Sequence, residues 1–137
     1  MRNAFAGECV HIIGGGPSIA DLNTKDLKGR IIAVNNSGLD KCPTADVLFV
    51  MDRRWFDWNA GRLYLNRSRW RVVRQMPRGP LPWPVEEVKH DKGAALSESW
   101  GTLAGASGGA MAINLAWLMG AARIVPHGFE MKPGHYH

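Results

Sequence analysis

Five stretches of this chain carry residue types able to do chemistry. Gly14-Gly15-Gly16-Pro17-Ser18 follows an apolar run and lets backbone N–H groups approach a phosphate closely. Asn35-Asn36 offers amide donors and acceptors to a base or a ribose. Asp52 closes another apolar run, where a carboxylate can hold Mg2+ together with substrate phosphates. Ser107-Gly108-Gly109 opens an apolar stretch and forms a second anion cradle. His127, Glu130, His135 and His137 have the composition of acids, bases and ligands but no recognised metal spacing.

Each stretch also has a plainer reading. The glycines make a tight turn, and they lack both the GxGxxG spacing and a Walker lysine. Asparagines favour turns on their own account. Asp52 is placed to cap a helix starting at Arg53. Glycines 108 and 109 allow close helix–sheet packing, and His135 and His137 belong to a terminal tail. Asn114, inside an otherwise apolar helix, needs either a ligand or an internal hydrogen bond.

The elements that must position these residues alternate. Residues 9–13, 30–34 and 46–51 are short apolar or β-branched runs ended by glycine, asparagine or aspartate, and residues 70–74 and 122–126 are further such runs, which predicts strands. Ser18 is placed to cap a helix ending near Gly29. Residues 53–65 have helical character, with Trp55, Trp58, Leu63 and Leu65 as buried positions. Residues 76–84 carry four prolines and a glycine and predict a loop. Residues 85–102 are ambiguous between a short strand and irregular chain. Ser107 opens a helix running through Met119, stopped by Gly120 and apolar nearly all round, which predicts burial. Strands alternating with helices argue for an α/β protein with a mostly parallel sheet and helices on its faces. Ligands of such sheets sit outside the carboxyl ends of the strands, where the polar punctuation falls.

The 137 residues predict one domain, and 45% hydrophobic with 21% charged residues excludes a disordered chain or a coiled coil. Two cysteines, Cys9 and Cys42, leave room for at most one bridge and fit a reducing cytosol. No apolar run reaches the ~20 residues of a membrane span, so the expectation is a cytoplasmic protein. The net charge of +5 is uneven: eight arginines between positions 52 and 78 face only Asp52 and Asp57. That segment also holds Trp55, Phe56, Trp58, Tyr64 and Trp70, a pattern that serves nucleic acid or other polyanions, or is a solvated face with inward aromatics.

The order Val10-His11-Ile12-Ile13-Gly14-Gly15-Gly16-Pro17-Ser18, then Asn35-Asn36, then Asp52 resembles the MptE-like family. So does Ser107-Gly108-Gly109-Ala110 running into Gly120-Ala121-Ala122-Arg123-Ile124 and Gly128-Phe129-Glu130-Met131. That family is typified by archaeal 6-hydroxymethylpterin diphosphokinase and includes phage and bacterial relatives. The first block is also similar to bacterial lipooligosaccharide sialyltransferases, whose Gly-Pro-Ser turn meets the nucleotide. The resemblance covers residues 9–52 and 107–135. It implies a Rossmann-like three-layer sandwich with one nucleotide site. Gly15, Gly16, Pro17 and Ser18 would meet phosphate or nucleotide, Asn35 and Asn36 the ribose or base, and Ser107 and Gly108 would complete the cradle. Glu130 stands where the family usually shows Asp, and relatives continue for further strands, which implies a shortened member.

The expected function is a nucleotide-dependent transferase, diphosphokinase-like or glycosyltransferase-like, using ATP or a nucleotide-sugar and an unidentified acceptor. Asp52, with Glu130, would hold Mg2+, and His127 or His135 would be the acid/base. The alternatives are a non-catalytic nucleic-acid-binding protein using residues 53–78, or an inactive family member. A homo-oligomer completing the site from a second subunit fits the short chain.

Overall fold

The computed structural model describes residues 1–59, 61–63, 66–75, 85–93 and 95–129. Seven strands make one sheet: β1 (Cys9–Ile13), β2 (Arg30–Val34), β3 (Val47–Val50), β4 (Trp70–Arg74), β5 (Glu86–Asp91), β6 (Thr102–Ala104) and β7 (Arg123–His127). Their order is β6-β5-β4-β3-β2-β1-β7, and every pairing is parallel. Parallel strands covered on both faces are apolar throughout, and all four residues of β3 are buried. The α/β, Rossmann-like class expected from the sequence is the observed one.

The chain lays down β1 to β6 in one direction, then crosses back over the sheet to set β7 beside β1. Right-handed crossovers place the outward connections on one face and the returning helix on the other. The packing agrees. Val10, Ile12, Ile32, Phe49 and Val72 cluster with Met111 and Leu115 of the returning helix α3 (Gly108–Leu118) and with Met119 just after it. The alternate residues Leu48, Val50 and Val73 meet Trp55 and Phe56 of α2 (Arg53–Asn59). Ile13 and Ala33 pack with Cys42 and Ala45, which follow α1 (Ser37–Asp40). Strand order reverses between β1 and β7, which makes their carboxyl ends the switch point where such sheets bind ligands.

Several local expectations are corrected. The helix expected from Ser18 is two 3-10 turns, Pro17–Asp21 and Thr24–Asp26, with Gly16 and not Ser18 at the first cap. Asn23 is extended and its side chain accepts from Lys25 N, which diverts the backbone from a continuous helix. α2 ends at Asn59, whose side-chain amide donates to the Trp55 carbonyl and so satisfies an orphan acceptor of the last turn. Trp55 and Leu63 are buried as expected, but Trp58 is 77% exposed and lies beside the Arg54 guanidinium. Leu65 and the loop expected at 76–84 lie outside the described residues. The ambiguous stretch 85–102 contains β5 and reaches β6.

α3 begins and ends as the sequence predicts. Ser107 Oγ accepts from Ala110 N, and Gly120, at φ +92°, turns the chain in a conformation costly for a side chain bearing Cβ. Its burial is one-sided, because Ile113 and Trp117 stay 38% and 42% exposed. Asn114 takes the internal option: Oδ1 accepts from Ser97 N and Ala104 N, and Nδ2 donates to Ser97 O. The N-terminal segment packs under the end of this helix, with Phe5 buried and its N–H bonded to Met119 O. Cys9 and Cys42 are free thiols. Among the described residues no helix is long and apolar enough to cross a membrane.

Candidate functional site

The glycine bend after β1 and the Ser-Gly-Gly bend before α3 meet on one aromatic ring. A Cβ on Gly14 would fall 2.7 Å from Phe129 Cε1, and a Cβ on Gly109 would fall 2.4 Å from the same atom. Only glycine lets the ring lie this close on both sides. A Cβ on Gly108 would be 3.4 Å from Val34 Cγ1 and 3.7 Å from Met51 Cβ, so the start of α3 also reaches the ends of β2 and β3. Four strand ends and one helix N-terminus therefore share a single rim.

Local bonding changes how the first bend can serve. Gly14 N donates to His127 O and Gly16 N to Gly128 O, so two amides of the triplet are committed to β7 and the turn after it. Gly15 faces open space, and Pro17 and Ser18 are exposed on the 3-10 turn beside it. Phe129 occupies the space over Gly14. The amides of Gly108 and Gly109 belong to the first turn of α3, have no intrahelical acceptor and carry the positive end of the helix dipole.

At the β2 end, Asn35 adopts φ +53°, a left-handed conformation that asparagine tolerates. Its Oδ1 is buried with no hydrogen-bond partner among the described residues. Asn36 Oδ1 accepts from Trp55 Nε1 at 2.7 Å, tying this corner to α2. Ser37 Oγ accepts from Val34 N and lies 2.7 Å from Ile13 O, to which it donates, so it clamps the ends of β1 and β2. No motif marks Ser37 in the sequence.

Asp52 is a helix cap. Its Oδ1 accepts from Arg54 N at 2.8 Å, and its Oδ2 lies 3.0 Å from Arg54 Nη2. The side-chain hydrogen bond from Arg54 is the main cause holding this carboxyl below the usual carboxylate range, and the charge of Arg74 adds to it. Among the described residues no group of three or more His, Cys, Asp or Glu side chains could hold a metal ion. A carboxylate already engaged by one guanidinium and influenced by a second is a poor fit for Mg2+, and no step is assigned to that ion. Glu130, His135 and His137 lie outside the described residues.

His127 is the last residue of β7, and its side chain turns along the sheet to His11. His11 Nε2 lies 2.9 Å from Lys28 O, and since a carbonyl only accepts, Nε2 carries the proton. His11 Nδ1 then accepts from His127 Nε2 at 2.9 Å. Burial, and secondarily the charge of His11, push the His127 pKa down. His11 also lines a hollow of about 400 Å³, with Cys9, Asp26, Lys28 and Arg123 among its other walls, on the sheet face opposite α3.

A second hollow was not anticipated. It measures about 610 Å³ and is lined by Met51, Arg74, His90, Lys92, Ala95, Gly105 and Ala106. It lies over the ends of β3, β4 and β5, beside the start of α3. His90 Nε2 donates to Gly105 O at 2.6 Å. Arg74 Nε and His90 Nδ1 are buried without hydrogen-bond partners among the described residues.

Three further arginines of the basic segment have partners within the chain. Arg62 pairs with Asp40, Arg71 donates to Asn66 O, and Arg69 stacks over Trp70 at 4.2 Å. Trp55 and Phe56 are core residues. The chain matches no family model, no curated protein and no solved structure.

Proposed function

We propose that this protein is a nucleotide-dependent transferase whose rim holds a nucleoside phosphate, ATP or a nucleotide-sugar, at the carboxyl ends of the strands. The observation that carries this reading is the convergence of the Gly14 and Gly109 bends on Phe129 at the point where strand order reverses. Anions are stabilised at a helix N-terminus, so the phosphates sit against the Gly108 and Gly109 amides. Asn35, whose Oδ1 has no partner among the described residues, and the turn at Gly15 would meet the nucleoside. Catalysis of group transfer from such a donor is mostly positioning and charge stabilisation. The described residues supply that through the dipole of α3 and the Arg74 guanidinium. The MptE-like motifs favour the same reading. A nucleic-acid platform is less well supported, because Arg54, Arg62 and Arg71 are each engaged by other groups of the chain.

A thermal-shift screen of nucleoside mono-, di- and triphosphates and nucleotide-sugars, with and without Mg2+, tests the proposal. A ligand that binds the native state alone raises the melting temperature by mass action. The expected result is a shift for one nucleotide class that Gly109→Trp removes. Silence of every nucleotide at millimolar concentration refutes the proposal.

A further inference from the structure

We infer that the hollow between β4, β5 and the start of α3 is an anion subsite built for a pyrophosphate or phosphomonoester group, with Arg74, Lys92 and His90 as its recognition set. The inference deepens the nucleotide reading by naming where phosphate is gripped, yet it rests on its own observations.

The first is composition. The hollow is about 610 Å³, and its described lining includes Arg74, Lys92 and His90 but no carboxylate. Asp52 is one neighbouring acid, close enough to be influenced by Arg74, and it is already bonded to Arg54. The balance inside is cationic.

The second is register. Val72 faces α3, so Arg74, two residues on, lies on the same face of the sheet. Arg74 pairs in register with Val88, so His90 lies two residues further along that face. Two neighbouring strands therefore deliver a guanidinium and an imidazole to one spot below the helix start, and Lys92 follows β5 there.

The third is unmet hydrogen bonding. Buried polar atoms normally have partners. His90 donates through Nε2 to Gly105 O, which leaves Nδ1 as an acceptor in the neutral ring, and Nδ1 has no partner among the described residues. Arg74 Nε is a donor in the same condition. A phosphate group with one protonated oxygen meets both: an anionic oxygen accepts from Arg74 Nε–H, and its P–O–H donates to His90 Nδ1. Guanidinium and phosphate are matched in geometry and charge. A hydrophobic ligand would leave both atoms unmatched.

Isothermal titration of the full chain with inorganic pyrophosphate, and separately with inorganic phosphate, tests this. We expect saturable pyrophosphate binding weakened at least about tenfold by Arg74→Gln, the scale of one lost charge-assisted hydrogen bond. Lys92 is exposed, so Lys92→Gln leaves the fold intact and weakens binding severalfold. Arg123→Gln, which removes an equal charge at the other hollow, leaves binding unchanged. No pyrophosphate binding by the native chain, or equal losses in all three variants, overturns the inference. Nucleotides failing while pyrophosphate binds in an Arg74-dependent way would refute the transferase reading and leave this subsite standing.

Discussion

His11 Nδ1 and His127 Nε2 lie 2.9 Å apart across the β1–β7 pairing, with the proton on His127 because His11 spends its own on Lys28 O. Burial and the neighbouring imidazole favour neutral His127, so its folded pKa lies below the usual 6.5 while the unfolded chain keeps that value. Between those two values the unfolded state binds more protons, and stability must fall as pH falls. Denaturant midpoints should therefore drop from about pH 7.5 to about pH 5, within the titration range of histidine. His127→Gln, which retains a donor to His11 and does not titrate, should flatten that slope. An unchanged slope would show that the pair does not set it.

The cap at Asp52 separates two roles for one carboxylate. Asp52→Ala removes the acceptor for Arg54 N and should cost about 1 kcal/mol, whereas Asp52→Asn keeps an acceptor and should cost only a few tenths. The ion pair with Arg54 is solvent-exposed and adds little. Because Asp52 screens Arg54 and Arg74, Asp52→Asn should bind pyrophosphate more tightly than the native chain. Weaker nucleotide binding confined to Mg2+-containing buffer would instead assign Asp52 to a metal.

The strands that proved legible are those with a simple sequence cause. β1 to β4 are short β-branched or apolar runs, the first three of them followed by Gly14, Asn35 and Asp52, and α3 has both a serine cap and a glycine stop. β5 hides because its sequence, Glu86–Asp91, buries only Val88, and β6 hides because it is three residues long. The same asymmetry runs through the site. Gly14, Asn35, Asp52 and Ser107 announce themselves as loop residues at strand ends. Arg74 and His90 do not, because what joins them is the β4–β5 register, which no local pattern encodes. The inward turn of His127 was equally hidden, since it follows from the pairing of His127 with Ile13.

Phe129 and Gly109 should be coupled. In a helix, Gly→Ala is ordinarily stabilising by up to about 1 kcal/mol. Here the new Cβ would press on Phe129 Cε1, and overpacking typically costs about 1–3 kcal/mol. Gly109→Ala should thus be destabilising in the native background and stabilising in Phe129→Ala. That change of sign, read from urea midpoints of the four chains, checks the contact on which the rim depends; simple additivity would refute it.

Asn114 tests whether the hollow depends on α3 for its shape. Its Oδ1 meets two buried backbone donors, Ser97 N and Ala104 N, and each donor left unmet costs about 1–3 kcal/mol. Asn114→Leu should therefore destabilise the fold by roughly 2–5 kcal/mol, with the Ala104 amide becoming the most accelerated in hydrogen exchange. Ala104 leads directly into Gly105 and Ala106, which line the hollow, so pyrophosphate binding should fail at denaturant concentrations where the remainder of the sheet is still intact. If Asn114 acted on a ligand instead, the variant would lose binding while Ala104 kept its protection.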